Sequence, residues 1–113
     1  MKDDQVYLRH IRDALESIDN YTQVGRDIFF SEAMRQDAVV RRLQVIGEAV
    51  KSLSERTKLT CPEIPWRQIA GMRDKIVHEY FGVNLELVWG VVERDLPVLR
   101  RFVEDALSKD SGA

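Results

Sequence analysis

An arginine, an aspartate, a lysine, a histidine and a tyrosine fall within one short run, Arg73-Asp74-Lys75-Ile76-Val77-His78-Glu79-Tyr80. A fixed cation, a group that titrates near neutral pH and a phenol are residue types that phosphodiester chemistry can use. Cleaving RNA without a metal takes a base for the 2′-hydroxyl proton and an acid for the departing oxygen. It also takes positive charge on the crowded phosphorus. Histidine suits the first two tasks, and the planar fork of arginine suits the third because it offers paired donors to phosphate oxygens.

The spacing decides how these groups can meet. On a helix each residue turns about 100°, so Asp74 and His78, four apart, share a face and can hydrogen bond. An aspartate there orients the imidazole and favours its protonated form. Arg73 and Tyr80 share another face. Arg73 and His78 stand about 140° apart around a straight helix and do not aim at one small target. Either the helix ends or distorts near His78, or two copies of the chain pool their residues in a composite site across a dimer axis. Two copies of Arg73 and His78 would supply base, acid and cation. The competing reading is structural, with Arg73 in a surface ion pair and His78 capping a helix C-terminus.

Four helical segments must position this run. The first spans about Asp4 to Val24, with Leu8, Ile11, Leu15, Ile18 and Thr22 as its inward stripe and Gly25 as its stop. A connector through Phe29 and Phe30 leads to a second helix capped by Ser31. Its stripe is Val39, Leu43, Ile46, Val50 and Leu53, and it reaches Lys58 after about 27 residues, or about 40 Å. Pro62 and Pro65 make the following stretch a loop. A third helix, with Pro65 in its first turn, carries Trp66, Ile69, Met72, Ile76 and the reactive run, and ends at Gly82. Asn84 caps a fourth helix that continues to about Leu107, with a kink near Glu93 to Leu96 imposed by Pro97. The pattern predicts an all-α, antiparallel up-and-down bundle of four main helices in a single domain, 1–113. Its core covers about 4–107 and its tail, 108–113, is frayed.

Composition narrows the partners. The chain has 113 residues, 44% of them hydrophobic and 32% charged, which suits one ordered domain. A net charge of −2 excludes a general polycation, so contact with nucleic acid has to come from a local patch. The single cysteine, Cys61, excludes an internal disulfide and a cysteine metal cluster, and reads as a small loop residue. There is no glycine-rich phosphate loop and no paired-carboxylate metal motif, so neither cofactor nor metal is expected. The polar N-terminus and the lack of a membrane-length apolar stretch lead to the expectation of a cytoplasmic protein. Glu48, beside Gly47, is a secondary candidate that could pair with Arg73 or Lys75, while Gly47 itself would let another backbone approach. Arg41 and Arg42 are weaker phosphate-binding candidates. His10 reads as a surface residue, and Trp66 and Trp89 read as core anchors.

The run from Arg73 to Tyr80 resembles the R-x4-H-x-Y signature of the HepT-like (DUF86) family, HEPN-type ribonuclease toxins of toxin–antitoxin pairs. Val45-Ile46-Gly47-Glu48-Ala49, Ile64-Pro65-Trp66-Arg67-Gln68-Ile69-Ala70-Gly71-Met72, Tyr80-Phe81-Gly82-Val83-Asn84 and Asp95-Leu96-Pro97 resemble family phrases in the same order. The resemblance covers roughly residues 5 to 105. It implies a HEPN bundle, a homodimer and a metal-independent endoribonuclease acting on RNA, tRNA included, within a type VII-like toxin–antitoxin pair. Arg73 and His78 match the catalytic pair, with Asp74, Glu48 and Lys75 in supporting places. Tyr80 matches the tyrosine that a cognate minimal nucleotidyltransferase antitoxin modifies with AMP. Many relatives carry asparagine where this chain has Asp74; an acid there either repels phosphate or holds the imidazole protonated. The alternative the resemblance allows is a non-catalytic HEPN subunit that binds a nucleotidyltransferase and presents a surface to it.

Overall fold

In the computed structural model, residues 2–78 and 84–112 are described; the side chains of residues 2, 3, 73, 76–78 and 110–112 lie outside the description. All the regular structure among them is helical. The order is α1 (Lys2–Thr22), α2 (Arg26–Ser31), α3 (Ala33–Ser52), α4 (Glu55–Leu59), α5 (Trp66–His78), α6 (Leu85–Gly90), a π-helical turn at Val91–Asp95, and α7 (Leu96–Gly112). Helix α1 packs along α3 and α7, and α3 packs on its other side against α5. The result is the all-α bundle expected from the periodicity.

Its core is built from the predicted stripes. Leu8, Ile11, Leu15 and Ile18 of α1 meet Val39, Leu43, Ile46 and Val50 of α3. Ile69 and Met72 of α5 and Val88, Leu99 and Val103 of the last helical stretch complete it. Each fully buried leucine or isoleucine contributes about 1.5–3 kcal/mol relative to an exposed one, so this apolar layer dominates the stability. Ion pairs between helices add little by comparison. Arg100 reaches Asp19 at 2.6 Å to join α7 to α1, and Arg26 reaches Glu86 at 2.6 Å, but both pairs are solvated.

The structure departs from the sequence expectation at several places. The connector through Phe29 and Phe30 is helix α2. Gly25 enters it at φ 99°, a backbone region that side chains disfavour, and Phe29 is wholly buried, its ring 5.3 Å from that of Trp89. Because α2 takes in Ser31, that hydroxyl donates back to the Ile28 carbonyl at 2.9 Å and does not cap α3. The cap position of α3 is Glu32, whose carbonyl accepts the Gln36 amide at 3.1 Å. The second predicted helix does not run through to Lys58. Leu53 and Ser54 are extended and split it into α3 and α4. Finally, the tail expected to fray continues as helix to Gly112, with Lys109 placed favourably for the negative end of the helix dipole.

The break at Leu53–Ser54 has a long-range cause. Asp4, only 4% exposed, accepts the Ser54 amide at 3.0 Å, the Ser54 hydroxyl at 2.6 Å and the Thr57 hydroxyl. Ser54 Oγ in turn accepts the Thr57 amide and caps α4. A carboxylate from the first turn of α1 thus stands at the positive end of α4. Burial pushes this carboxyl up, but the hydrogen bonds from Ser54 and Thr57 outweigh it and hold Asp4 below the usual aspartate value of 3.8.

Asp4→Asn replaces an acceptor-only group with an amide and is expected to cost about 2 kcal/mol at neutral pH, measured by urea unfolding. Because the folded value lies below the unfolded one, the contribution is complete above pH 3.8 and is lost as pH falls through the lower folded value. The gap between wild type and Asp4→Asn should therefore narrow in acid.

Candidate active site

Helix α5 carries the reactive run, and its N-terminal half is clamped from three sides. The loop before it closes through the Ile64 amide on the Cys61 carbonyl at 3.2 Å, with Ile64 buried beneath. Pro65 lies one residue before the helix, and its carbonyl accepts the Ile69 amide at 3.0 Å, so the proline occupies the cap position and not the first turn. The Trp66 indole N–H donates to the carbonyls of Lys58, in the last turn of α4, and Cys61, just after it, at 3.0 and 3.1 Å. Its ring meets Phe102 of α7 edge to face at 5.2 Å. Both tryptophans pack against the core, as expected of anchors.

The third clamp is the closest. A methyl group built on Gly47 of α3 would stand 3.2 Å from the carbonyl oxygen of Ala70 and 3.4 Å from that of Ile69. The backbones of α3 and α5 therefore approach through a position where only a hydrogen fits comfortably. This is the close approach that the Gly47-Glu48 phrase suggested.

From this anchored half, α5 continues without a break through positions 73 to 78. Arg73 and His78 lie on the same helix, about 140° apart around its axis. Their side chains lie outside the described residues, and Tyr80 does so entirely, as does the predicted helix end at Gly82. Asp74 and Lys75 are exposed. Glu48 is exposed too. Its carboxylate lies 3.7 Å from Lys51, and Glu48 faces a groove between α1 and α3 shared with Tyr7, His10 and Arg41. Lys75 lines a different groove, so Glu48 and Lys75 are not brought together. His10 is a surface residue, set edge-on to Tyr7 at 6.2 Å. Cys61 donates its thiol to Glu63. That bond, with burial and the negative carboxylate, pushes the thiol up and keeps it an unreactive loop residue.

The groove holding Lys75 was not anticipated. It has a volume of about 430 Å³ and lies between α5 and the α6–π-turn segment. Met72, Leu87 and Val91 form its apolar floor, and Arg67, Lys75 and Asp95 supply charge. One sequence signal could have found it: Arg67, Gly71 and Lys75 recur every four residues along the exposed side of α5. The far wall is set by Asn84, whose side chain accepts the Leu87 amide at 3.1 Å and starts α6, as predicted. It is set also by the π turn just ahead of Pro97. There the Leu96 amide reaches back five residues to the Val91 carbonyl, which relieves the clash a proline makes with the turn before it. The expected distortion before Pro97 takes this form.

The family model Ribonuclease HepT-like matches residues 11–106, and the chain belongs to this family. It is 38% identical over 111 residues to a protein of Caldanaerobacter subterraneus subsp. tengcongensis named "Putative RNase", covering 97% of this chain and 99% of that one. It is 42% identical over 95 residues to the "Probable ribonuclease HepT" of Thermococcus cleftensis, covering 83% and 86%. It is 44% identical over 103 residues to a "Gamma-glutamylcyclotransferase and putative RNase" of Methanocaldococcus jannaschii. That match covers 90% of this chain, which spans only about half, 46%, of that relative. No solved structure gives a match. The family and these names support a ribonuclease-type function.

Gly47→Val places two further carbons on the atom that already crowds the Ala70 carbonyl. It should lower stability by about 2 kcal/mol or more, beyond any change in helix propensity, as read by thermal or urea unfolding.

Proposed function

We propose that two copies of this chain assemble a metal-independent endoribonuclease, with Arg73 and His78 of both protomers lining one composite site. We place it as the toxin of a type VII-like toxin–antitoxin pair. Its cognate minimal nucleotidyltransferase silences it by transferring AMP to Tyr80. The observation that carries the composite site is the unbroken course of α5 across positions 73 and 78. A regular helix separates them by about 140°, so a small target gains both groups most simply from two helices related by a dimer axis.

In such a site one His78 accepts the 2′-hydroxyl proton as the oxygen attacks the adjacent phosphorus. The bond from phosphorus to the 5′ oxygen breaks, and the second His78, as imidazolium, returns a proton to that oxygen. The products are a 2′,3′-cyclic phosphate and a 5′-hydroxyl. The arginines neutralise the extra negative charge that builds on the phosphoryl oxygens. Asp74, four residues before His78, is placed to orient the imidazole. Silencing follows the same electrostatics: the Tyr80 phenol oxygen attacks the α-phosphorus of ATP, pyrophosphate and a proton leave, and the bulky anion opposes RNA beside the phosphate site.

With EDTA present, wild-type protein should cut total RNA or isolated tRNA into discrete fragments. His78→Ala should lose at least about 100-fold in rate while keeping its helical circular dichroism and its sedimentation as a dimer. Cleavage that persists in the variant removes His78 from the chemistry. A wild type that arrives unmodified and cuts nothing favours the non-catalytic subunit reading.

Intact mass after incubation with the nucleotidyltransferase and ATP checks the silencing step. The expected gain is whole AMP units, absent in Tyr80→Phe. An unchanged mass alongside lost cleavage would mean the partner blocks the site sterically.

A further inference from the structure

Charge is unevenly divided along this chain. Helix α5, Trp66–His78, holds three cations, Arg67, Arg73 and Lys75, against one acid, Asp74. That is a surplus of two in a chain whose total is −2, which leaves −4 on the remaining residues. The sequence required any nucleic-acid contact to be a local patch; α3 (Ala33–Ser52) carries the same surplus of two, and α5 is the patch that also holds the run from Arg73 to His78.

Two of these cations open onto the groove beside the helix. Arg67 and Lys75 are both exposed, and neither has an ion-pair partner among the described residues. Arg12, Arg26, Arg35, Lys51, Lys58 and Arg100 are each held by a carboxylate, whereas Arg41, Arg42, Arg101 and Lys109, like Arg67 and Lys75, show no ion pair among the described residues; what sets Arg67 and Lys75 apart is the apolar groove they share beside His78. Arg67 and Lys75 are eight residues apart, about 12 Å along the helix axis, and Lys75 precedes His78 by only about 4.5 Å along the same axis. The floor of the groove, Met72, Leu87 and Val91, is apolar, and Asp95 is the one acid among the described residues that line it.

We infer that this groove holds the single-stranded stretch of RNA next to the bond being cut. Arg67 and Lys75 contact successive stretches of the phosphate backbone, and the apolar floor receives an unpaired base. The inference rests on the ribonuclease reading and adds to it how the substrate is held. Charge complementarity favours a polyanion: two exposed cations without an ion-pair partner among the described residues flank one apolar floor. The floor favours a single strand, because only an unpaired base offers an apolar face for it to cover. The Asp95 carboxylate suits a base edge, since it accepts from exocyclic amino groups. Arg67 and Lys75 are thus substrate-positioning residues and take no part in the proton transfers.

The test is RNA binding by the full chain in the His78→Ala background, so that a labelled single-stranded oligonucleotide stays intact. Fluorescence anisotropy is followed across a salt series. Arg67→Ala/Lys75→Ala should raise Kd about tenfold or more at low salt. It should also reduce the slope of log K against log salt by about 1.4, two backbone contacts at about 0.7 each. Arg101→Ala/Lys109→Ala removes two cations that line another groove and should stay within about twofold. Equal losses in both double variants would mean the effect is net charge alone and would overturn the inference. So would unchanged binding by Arg67→Ala/Lys75→Ala, or no RNA binding by the His78→Ala parent. A groove variant that falls apart from dimer to monomer with its RNA affinity intact would assign the groove to a second copy. The two readings fail separately. Wild-type cleavage with an unaltered KM in Arg67→Ala/Lys75→Ala sinks only the groove. Groove-dependent binding by a wild type that cuts nothing sinks only the nuclease.

Discussion

The position of α5 depends on how near two backbones can come. Gly47 faces the carbonyls of Ile69 and Ala70 at a separation where even a methyl group would make α5 give way by a few tenths of an ångström. Helix α3 is central to the bundle, with α1 on one side and α5 on the other. Five of its side chains, Val39, Leu43, Ile46, Ala49 and Val50, are buried in the core. A larger residue at 47 would push α5 outward, away from the apolar layer that Ile69 and Met72 enter. Trp66 works with this contact. Its two hydrogen bonds and its edge-to-face contact with Phe102 hold the start of the helix, so α5 is fixed at one end and along one side.

A helix held this way suits the chemistry assigned to it. Rigid elements place reactive groups better than loops do, because their packing has already restricted the backbone. The core-facing residues of α5 do the holding, while Arg67, Gly71, Asp74 and Lys75 remain on the solvent side. The uneven charge follows the same division. In a chain of net charge −2, a cationic helix provides a local attraction for a polyanion.

Much of this was legible in local sequence. Every described position of the stripes read from α1 and α3 that carries an apolar side chain is buried, because a period of 3.6 residues and an apolar stripe suffice to define an inward face. The cap at Asn84 and the distortion before Pro97 were also legible, since each depends on one residue and its immediate neighbours. The misses had distant causes. Leu53 continues the α3 stripe and Ser54 lies within a run that favours helix, yet the chain turns there because Asp4, fifty residues earlier, draws the Ser54 amide and hydroxyl to its carboxylate. Phe29 and Phe30 read as a connector because six residues are too few to show a period. Burial of Phe29 against Trp89 made them a helix.

The sequence by itself determined the class of fold, the core faces of the long helices and the run in which the candidate site lies. Periodicity, capping residues and the R-x4-H-x-Y spacing are all short-range properties. The tertiary structure alone decided where α3 ends, how closely α3 and α5 meet, and that Arg67 and Lys75 share a groove with Leu87 and Val91. Each of these depends on atoms brought together from different helices or on the rotamer a side chain adopts once packed. No local pattern specifies either, because the free energy that selects them is released only when the helices dock.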